Sequence, residues 1–134
     1  MPMTESPVAY TAETPHSFAE AVARCRAALA AEGFGVLTEI DVQATLKSKL
    51  GVERDPYLIL GACHPPSAHR ALTAAPEAGV LLPCNVTVSV EDGRTVVRAM
   101  NPRAALALIP SPALAEVAAE VDAALRRVVA AVAV

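Results

Sequence analysis

The chain has 134 residues, of which 54% are hydrophobic, so it has the length and composition of one folded domain. Eleven Lys and Arg residues against 14 Asp and Glu residues give a net charge of −3, which excludes the broad basic surface that nucleic-acid phosphates or anionic lipids require. Only 3% of the residues are aromatic and none is Trp, so a base-stacking surface is also excluded. We expect neither nucleic acid nor a membrane as a partner.

The cysteine content and the termini indicate the compartment. Cys25, Cys63 and Cys84 are odd in number and form no C-x-x-C pair, so the sequence contains neither a disulfide framework nor a standard zinc knuckle. Residues 1–14 include no basic residue and no apolar stretch of signal-peptide length, and charged residues interrupt the apolar residues 113–134. We therefore expect a cytoplasmic protein.

The sequence predicts an N-terminal strand or flank over residues 1–15, followed by one α+β domain over residues 16–134. Residues 7–11 are expected to form a short strand that begins at, or lies on, a sheet edge because of its proline. From His16 a helix is predicted by apolar residues at intervals of four, three and four, and Gly33 ends it (Phe18, Val22, Cys25, Leu29). Residues 35–40 follow as a strand.

Two further helices and a central strand are predicted next. Asp41 is a good N-cap for a second helix that ends at Gly51, with an apolar stripe of Val42, Leu46 and Leu50. The unbroken apolar run of residues 57–62 favours a strand covered on both faces near the centre of the sheet. Pro65 and Pro66 end that strand and open a third helix, which continues to about Pro76 and leaves Cys63 and His64 at the junction.

The clearest local pattern is a β-hairpin around Asp92 and Gly93. A two-residue loop there places Glu91 opposite Arg94 and Val88 opposite Val97. One face of the hairpin is then core, and Cys84 belongs to it (Val86, Val88, Val90, Val97, Ala99). The other face is polar (Asn85, Thr87, Ser89, Arg98).

A final helix over residues 113–131, capped by Ser111, carries apolar residues at intervals of three and four (Leu114, Val117, Val121, Leu125, Val128, Val132). Together the elements predict an α+β two-layer sandwich: a mixed, mostly antiparallel sheet with helices mainly on one face. The polar sheet face and the alanine-rich last helix are both candidate contact surfaces, so we expect a homodimer.

Cys63 is the strongest candidate for chemistry. A thiol just ahead of a helix N-terminus lies near unpaired N–H donors and the positive end of the helix dipole, and both favour the thiolate that reacts or binds metal. His64 is a supporting residue that adds positive charge or a ligand nitrogen, and Asn85 a supporting hydrogen-bond donor if its strand lies alongside. The alternative is that Cys63 is a small buried residue at a tight junction.

The other candidates depend on their surroundings. Cys84 points toward the core, so its role as a partner thiol requires Cys63 to be adjacent, whereas Cys25 is expected to be core only. A transition-metal ion is the cofactor to consider, with Cys63, Cys84 and His64 as ligands; His69 is a further possibility. Arg70, with Arg98, is a candidate anion-binding residue beside the third helix's N-terminus, although solvation or a Glu partner is the simpler alternative.

Glu39 either reaches a cleft or lies at an exposed edge. The common enzyme motifs, among them G-x-S-x-G, H-E-x-x-H and the P-loop, are absent from the sequence, so no catalytic residue is assigned and enzyme activity stays open.

Four segments together resemble the bacterial and archaeal domain of unknown function 302 family. They span residues 33–51, 59–65, 79–86 and 100–102, and the most specific marks are Gly61-Ala62-Cys63 and Pro83-Cys84-Asn85. The resemblance covers the chain from about Phe18 to the last helix. It implies a small cytosolic α+β domain, often homodimeric, with no established reaction, and it carries over Cys63, Cys84 and Asn85 as motif residues. Family members tend to have Asn where this chain has His64, so the resemblance does not imply a histidine ligand.

Two functional hypotheses follow. The first is a thiol site in which Cys63 and Cys84 hold a metal ion, a sulfane sulfur or a reversible disulfide. The second is a non-catalytic homodimeric module that binds a small anionic ligand or a protein partner through helix N-terminal amides and Arg70. A conventional hydrolase ranks third, because no nucleophile, base and orienting group can be assembled from the spacing.

Overall fold

The computed structural model describes residues 3–134, which form one six-stranded sheet and five α-helices. The strands are β1 (Thr4–Glu5), β2 (Ala9–Thr14), β3 (Gly35–Asp41), β4 (Tyr57–Cys63), β5 (Cys84–Glu91) and β6 (Arg94–Met100). The helices are α1 (Phe18–Ala31), α2 (Val42–Leu50), α3 (Pro65–Ala74), α4 (Pro102–Leu106) and α5 (Pro112–Val132), and a 3-10 helix covers Pro76–Leu81. No helix within residues 3–134 is long and apolar enough to cross a membrane.

The strand order is β1-β2-β6-β5-β4-β3, and each of the neighbouring pairs is antiparallel. The predicted α+β class, with a mostly antiparallel sheet and helices against it, is confirmed, and the described strands include no parallel pair. The long helix α5 packs against α1, α3 and α4 and lies over β2 and β6. The helices therefore cover mainly one sheet face, where the fully buried side chains meet (Tyr10, Leu29, Leu60, Val86, Val88, Val97, Leu114, Leu125, Val128).

The hairpin register is confirmed, because Glu91 lies opposite Arg94 and Val88 opposite Val97. Asp92 and Gly93 both have positive φ, which a two-residue hairpin turn requires. Alternation then places Val86, Val88, Val97 and Ala99 in the core. Ser89 of the polar face is also fully buried, and its hydroxyl donates to Glu91 (2.6 Å), which pairs with Arg98 as well.

Several predicted helix ends are confirmed by their capping bonds. The side chains of Asp41 and Ser111 accept hydrogen bonds from the backbone N–H groups of Ala44 and Leu114. Gly51 ends α2 with a φ of 68°. The predicted stripe of α2, however, has no buried residue, because α2 packs only at the edge of the sheet on β3 and β4.

Two strand predictions differ from the structure. The first long strand is β2 rather than residues 7–11, and it lies second in the sheet because the short β1 covers its outer edge. Pro7 precedes it, so no ladder hydrogen bond is lost. The strand β4 lies second from the opposite edge. Its residues Leu58, Leu60 and Ala62 are buried, whereas Tyr57 and Ile59 on the other face are only half-buried.

Candidate functional site: an apolar cavity with two thiols

A cavity of about 310 Å³ lies where β4 and β5 meet α3, α4 and α5, and it opens to solvent. Its wall contains both Cys63 and Cys84, together with His64 and Ser67. The other lining residues are apolar or glycine: Phe34, Leu37, Ala62, Ala68, Ala71, Leu72, Gly79, Leu82, Pro83, Leu106, Val117 and Val121. The cavity is therefore an apolar space with a few polar atoms, which is the usual composition of a small-molecule site.

Cys63 is the last residue of β4 and precedes the N-cap of α3. Its side chain is half-buried, so a reagent can reach it. The predicted placement at a strand-to-helix junction is confirmed. The expected free N–H donors are not there, because Pro65 and Pro66 open α3 without N–H groups and the Ser67 N–H donates to His64 Nδ1, so the α3 N-terminus offers this thiol only the positive end of its dipole.

Cys84 is the first residue of β5 and is buried on the helix-facing side, as the hairpin parity predicted. It pairs in register with Ala62, the neighbour of Cys63. Burial raises the pKa of the Cys84 thiol to about 11, and the charge of Cys63 is a second cause of that rise. The structure thus brings the two cysteines together in one cavity wall, and both are free thiols.

His64 forms the N-cap of α3 through its ring. The backbone N–H of Ser67 donates to Nδ1 (3.4 Å), and the Ser67 hydroxyl lies 2.7 Å from the same nitrogen. The ring also packs against Phe34, with centroids 5.4 Å apart, and rests on Gly33, where a Cβ would lie 3.2 Å from Nε2. Nδ1 is therefore occupied by the helix cap, and the ring is held in place at the cavity wall.

A β-bulge gives the cavity its outer rim. The register between β3 and β4 shifts between Val36 and Thr38, which leaves Leu37 unpaired and on the cavity rim, with 67% of its surface exposed. On the paired strand, a Cβ at Gly61 would lie 2.1 Å from Thr38 Oγ1 and 3.1 Å from Pro83 Cγ. Glycine is needed at position 61 because the side chains of Thr38 and Pro83 occupy the space that a Cβ would take.

The structure places the remaining predicted site residues away from the cavity. Asn85 is exposed and pairs with Gly61 on the opposite sheet face from Cys84. Arg70 donates to Glu120 of α5 and, with His69, lines a separate groove. Cys25, which was predicted as a core residue only, is fully buried in the core, and burial raises its thiol pKa to about 12.

Two residues that the sequence left between alternatives have ionic partners. Arg98 makes a two-bond pair with Glu91, one bond of 3.0 Å, and hydrogen bonds from Arg98 and then Ser89 lower the pKa of Glu91 to about 2. Glu39 is exposed and accepts a hydrogen bond of 2.5 Å from Arg26. Neither Arg98 nor Glu39 lines the cavity.

Metal binding requires several ligands in one place. Within residues 3–134 there is no group of three or more His, Cys, Asp and Glu side chains arranged to hold a metal ion. The two cysteines and His64 line one cavity, with Nδ1 of His64 engaged by Ser67.

Sequence reasoning missed several lining residues. Val117 and Val121 were predicted as core positions of the last helix, and they also line the cavity. Leu106 lies on α4, a five-residue helix too short for periodicity to reveal, although Asn101 followed by Pro102 is a recognisable start because Asn101 caps Ala104. Ser67 was treated only as part of the helix opening.

The fold and the cavity together define a small α+β protein with a thiol-lined apolar site. The sequence pattern described as "Domain of unknown function DUF302" matches residues 10–132. A crystal structure of an uncharacterized conserved DUF302 protein from Bacillus stearothermophilus is similar, with a TM-score of 0.86 and 31% sequence identity over 92% of this chain and 96% of that one. The chain belongs to the DUF302 family, which confirms the resemblance. No curated protein gives a significant match.

Proposed function

We propose that the protein is a thiol-exchange protein in which Cys63 and Cys84 form one reversible disulfide inside the apolar cavity. The observation that carries the proposal is that both thiols line the same cavity and that the charge of Cys63 raises the pKa of Cys84. Cys63 is half-buried and adjoins a helix N-terminus, whereas Cys84 is buried. This difference suits an attacking thiol and a resolving thiol.

The oxidant in this proposal is a low-molecular-weight disulfide. The Cys63 thiolate attacks one sulfur of that disulfide, forms a mixed disulfide and releases one thiolate, which takes up a proton. Cys84 then loses its proton, attacks Cys63 Sγ and releases the second small thiol. Two protein thiols are oxidised by two electrons, and one small disulfide is reduced to two thiols. Once Cys63 is in the mixed disulfide its charge is gone, so one cause of the raised Cys84 pKa is removed before Cys84 must act.

The test is oxidation of the full chain with oxidised glutathione, followed by intact mass and peptide mapping. We expect the mass to fall by two hydrogens, with one peptide pair linked through Cys63 and Cys84, while Cys25 stays reduced. Cys84→Ala should stop at the mixed disulfide on Cys63, and Cys63→Ser should form neither product. A wild-type protein that stops at the mixed disulfide, or that reacts first at Cys84, would refute the proposal.

The same two thiols could instead hold a metal ion or a sulfane sulfur, which is the alternative use of this site. Native mass spectrometry of untagged protein purified without chelator or reductant separates these forms, because a metal or an added sulfur changes the mass. Bound mass that disappears in Cys63→Ser would replace the disulfide proposal with one of these.

The alternative of a binding module for a small anion has less support, because Arg70 is paired with Glu120 and no Lys or Arg lines the cavity. We propose a cytoplasmic location for either function, since a reducing compartment maintains free thiols.

We also propose that the protein is a homodimer that associates through the β3 edge. In the described sheet β3 is a terminal strand, and an unpaired edge can add a strand from a second copy. Ile40 of β3 and Leu50 of α2 are large exposed apolar residues beside this edge. Light scattering should give twice the chain mass for the wild type and for Val80→Lys, which is exposed elsewhere, and the single-chain mass for Ile40→Lys. A monomeric wild type would exclude the dimer.

A further inference from the structure

We propose that the cavity binds an uncharged, mostly apolar small molecule of about 10 non-hydrogen atoms, since a water molecule takes up about 30 Å³ of liquid and the cavity measures about 310 Å³. This binding goes beyond the thiol exchange and does not depend on it.

The first argument is the origin of the empty space. Protein interiors are close-packed, so a space of this size needs a structural cause. Here the cause is a row of small residues facing the cavity, namely Ala62 on β4, Ala68 and Ala71 on α3, and Gly79 after it. The cavity volume therefore follows from the small side chains of its wall.

The second argument is charge. None of the 16 lining residues is Asp, Glu, Lys or Arg. Arg70 lines a separate groove and donates to Glu120, which does not line the cavity. A charged ligand would lose its hydration in this space without gaining an ionic partner, whereas an uncharged one loses little.

The third argument is the rim. Leu37 and Leu72 line the cavity and expose 67% and 42% of their surfaces. An apolar rim that continues an apolar interior provides a path by which an apolar molecule keeps contact while it enters. The polar atoms of Ser67 and His64 are largely engaged with each other, so the ligand needs few hydrogen-bonding groups.

The test uses indole as the neutral probe, with the anion indole-3-acetate and the cation tryptamine as charged counterparts. Titration of the wild-type protein is followed by amide chemical shifts. We expect indole to shift the amides of Cys63, Ala68 and Leu72, and both charged probes to bind at least tenfold more weakly. Equal or tighter binding of a charged probe, or indole shifts confined to other parts of the chain, would overturn the inference.

A matched pair of variants on α3 tests the location. Ala68→Phe places a ring in the cavity and should weaken indole binding at least tenfold. Ala74→Phe makes the same change on an exposed position of the same helix outside the cavity and should bind indole as the wild type does. Unchanged indole binding in Ala68→Phe would contradict the inference. If that variant does not fold, the comparison of indole with the two charged probes on the wild-type protein decides the question. If indole does not bind but Cys63 and Cys84 still form a disulfide, only the binding inference fails. If indole binds but the disulfide does not form, only the thiol-exchange proposal fails.

Discussion

Replacing Cys63 with Ser should make Cys84 more reactive toward an alkylating reagent. Cys84 has its thiol pKa raised to about 11, first by burial and second by the charge of Cys63. Serine keeps the size of the side chain and removes the ionisable group, so only the second cause disappears. The pKa of Cys84 should then fall, and a larger fraction of Cys84 should be thiolate at the same pH.

The magnitude follows from the ionised fractions. At pH 8 a thiol with a pKa of about 11 is ionised in about one molecule in a thousand, against about a quarter for an ordinary thiol of pKa about 8.5. The more basic thiolate is also more nucleophilic, which raises its rate about tenfold and offsets part of this difference in ionised fraction. Cys84 should therefore react about 20-fold more slowly than an exposed thiol before steric shielding is counted. Cys63→Ser should raise its rate by about two- to tenfold, since burial remains the larger cause.

The assay is alkylation by iodoacetamide between pH 7 and pH 10, with each adduct located by peptide mapping. In the wild type, Cys63 should be modified first, Cys84 later and Cys25 last, because burial raises the pKa of Cys25 to about 12. The matched control is Cys25→Ala, which should leave the rate of Cys84 unchanged, since Cys25 is not a cause of the Cys84 shift.

Charge and access give different results in this assay. If the serine merely opened a path to Cys84, the ratio between variant and wild-type rates would be the same at every pH. If the charge of Cys63 matters, that ratio changes with pH instead. An unchanged or lower Cys84 rate in Cys63→Ser would show that the two thiols do not interact, and the reasoning for a joint site would be refuted.

Three further predictions concern stability. Because the folded-state pKa of Glu91 is lowered to about 2, its stabilising effect is present above its ordinary value of 4.5 and is lost as the pH falls from there toward 2; acid denaturation should therefore cost the wild type more stability than Glu91→Gln. Because the pKa of Cys84 is raised, its contribution is complete below pH 9 and is lost as the pH rises toward 11, a loss that denaturant titrations should find smaller in Cys84→Ala. Gly61→Ala should lower the free energy of unfolding by about 1–3 kcal/mol, because its Cβ would overlap Thr38, and adding Thr38→Ala should restore part of that loss. The control Gly35→Ala should cost almost nothing, because a Cβ there meets nothing within 4 Å. Equal costs at the two glycines in urea titrations would contradict the overlap with Thr38.

Local rules predicted much of the fold because each of them acts over a few residues. The two-residue turn at Asp92 and Gly93 sets the hairpin register, and the register in turn determines the face of every hairpin side chain. For this reason the burial of Cys84 was predictable from a valine alternation alone. The same parity placed Asn85 on the other face, away from the cavity that Cys84 lines.

The cavity was not predictable, because it depends on the packing of elements that are distant in sequence. Its wall takes Leu37 from a bulge, Leu106 from a five-residue helix and Val117 from the far end of the chain. A bulge shifts side-chain direction after one extra residue, and no periodicity in β3 marks where that residue lies. The pairing of Arg70 with Glu120 likewise joins residues 50 positions apart, which a local pattern does not specify.

The meeting of the two thiols depends on where β4 ends. Cys84 lies opposite Ala62, on the helix-facing side, so strict alternation would turn Cys63 toward the other face of the sheet. The strand stops at Cys63, and Pro65 and Pro66 begin α3 at once on the helix side. The chain therefore turns at Cys63 and brings this thiol into the cavity wall beside Cys84. The proline pair, which ends β4 and starts α3 beside Cys63, is therefore as much a part of this site as the cysteines are.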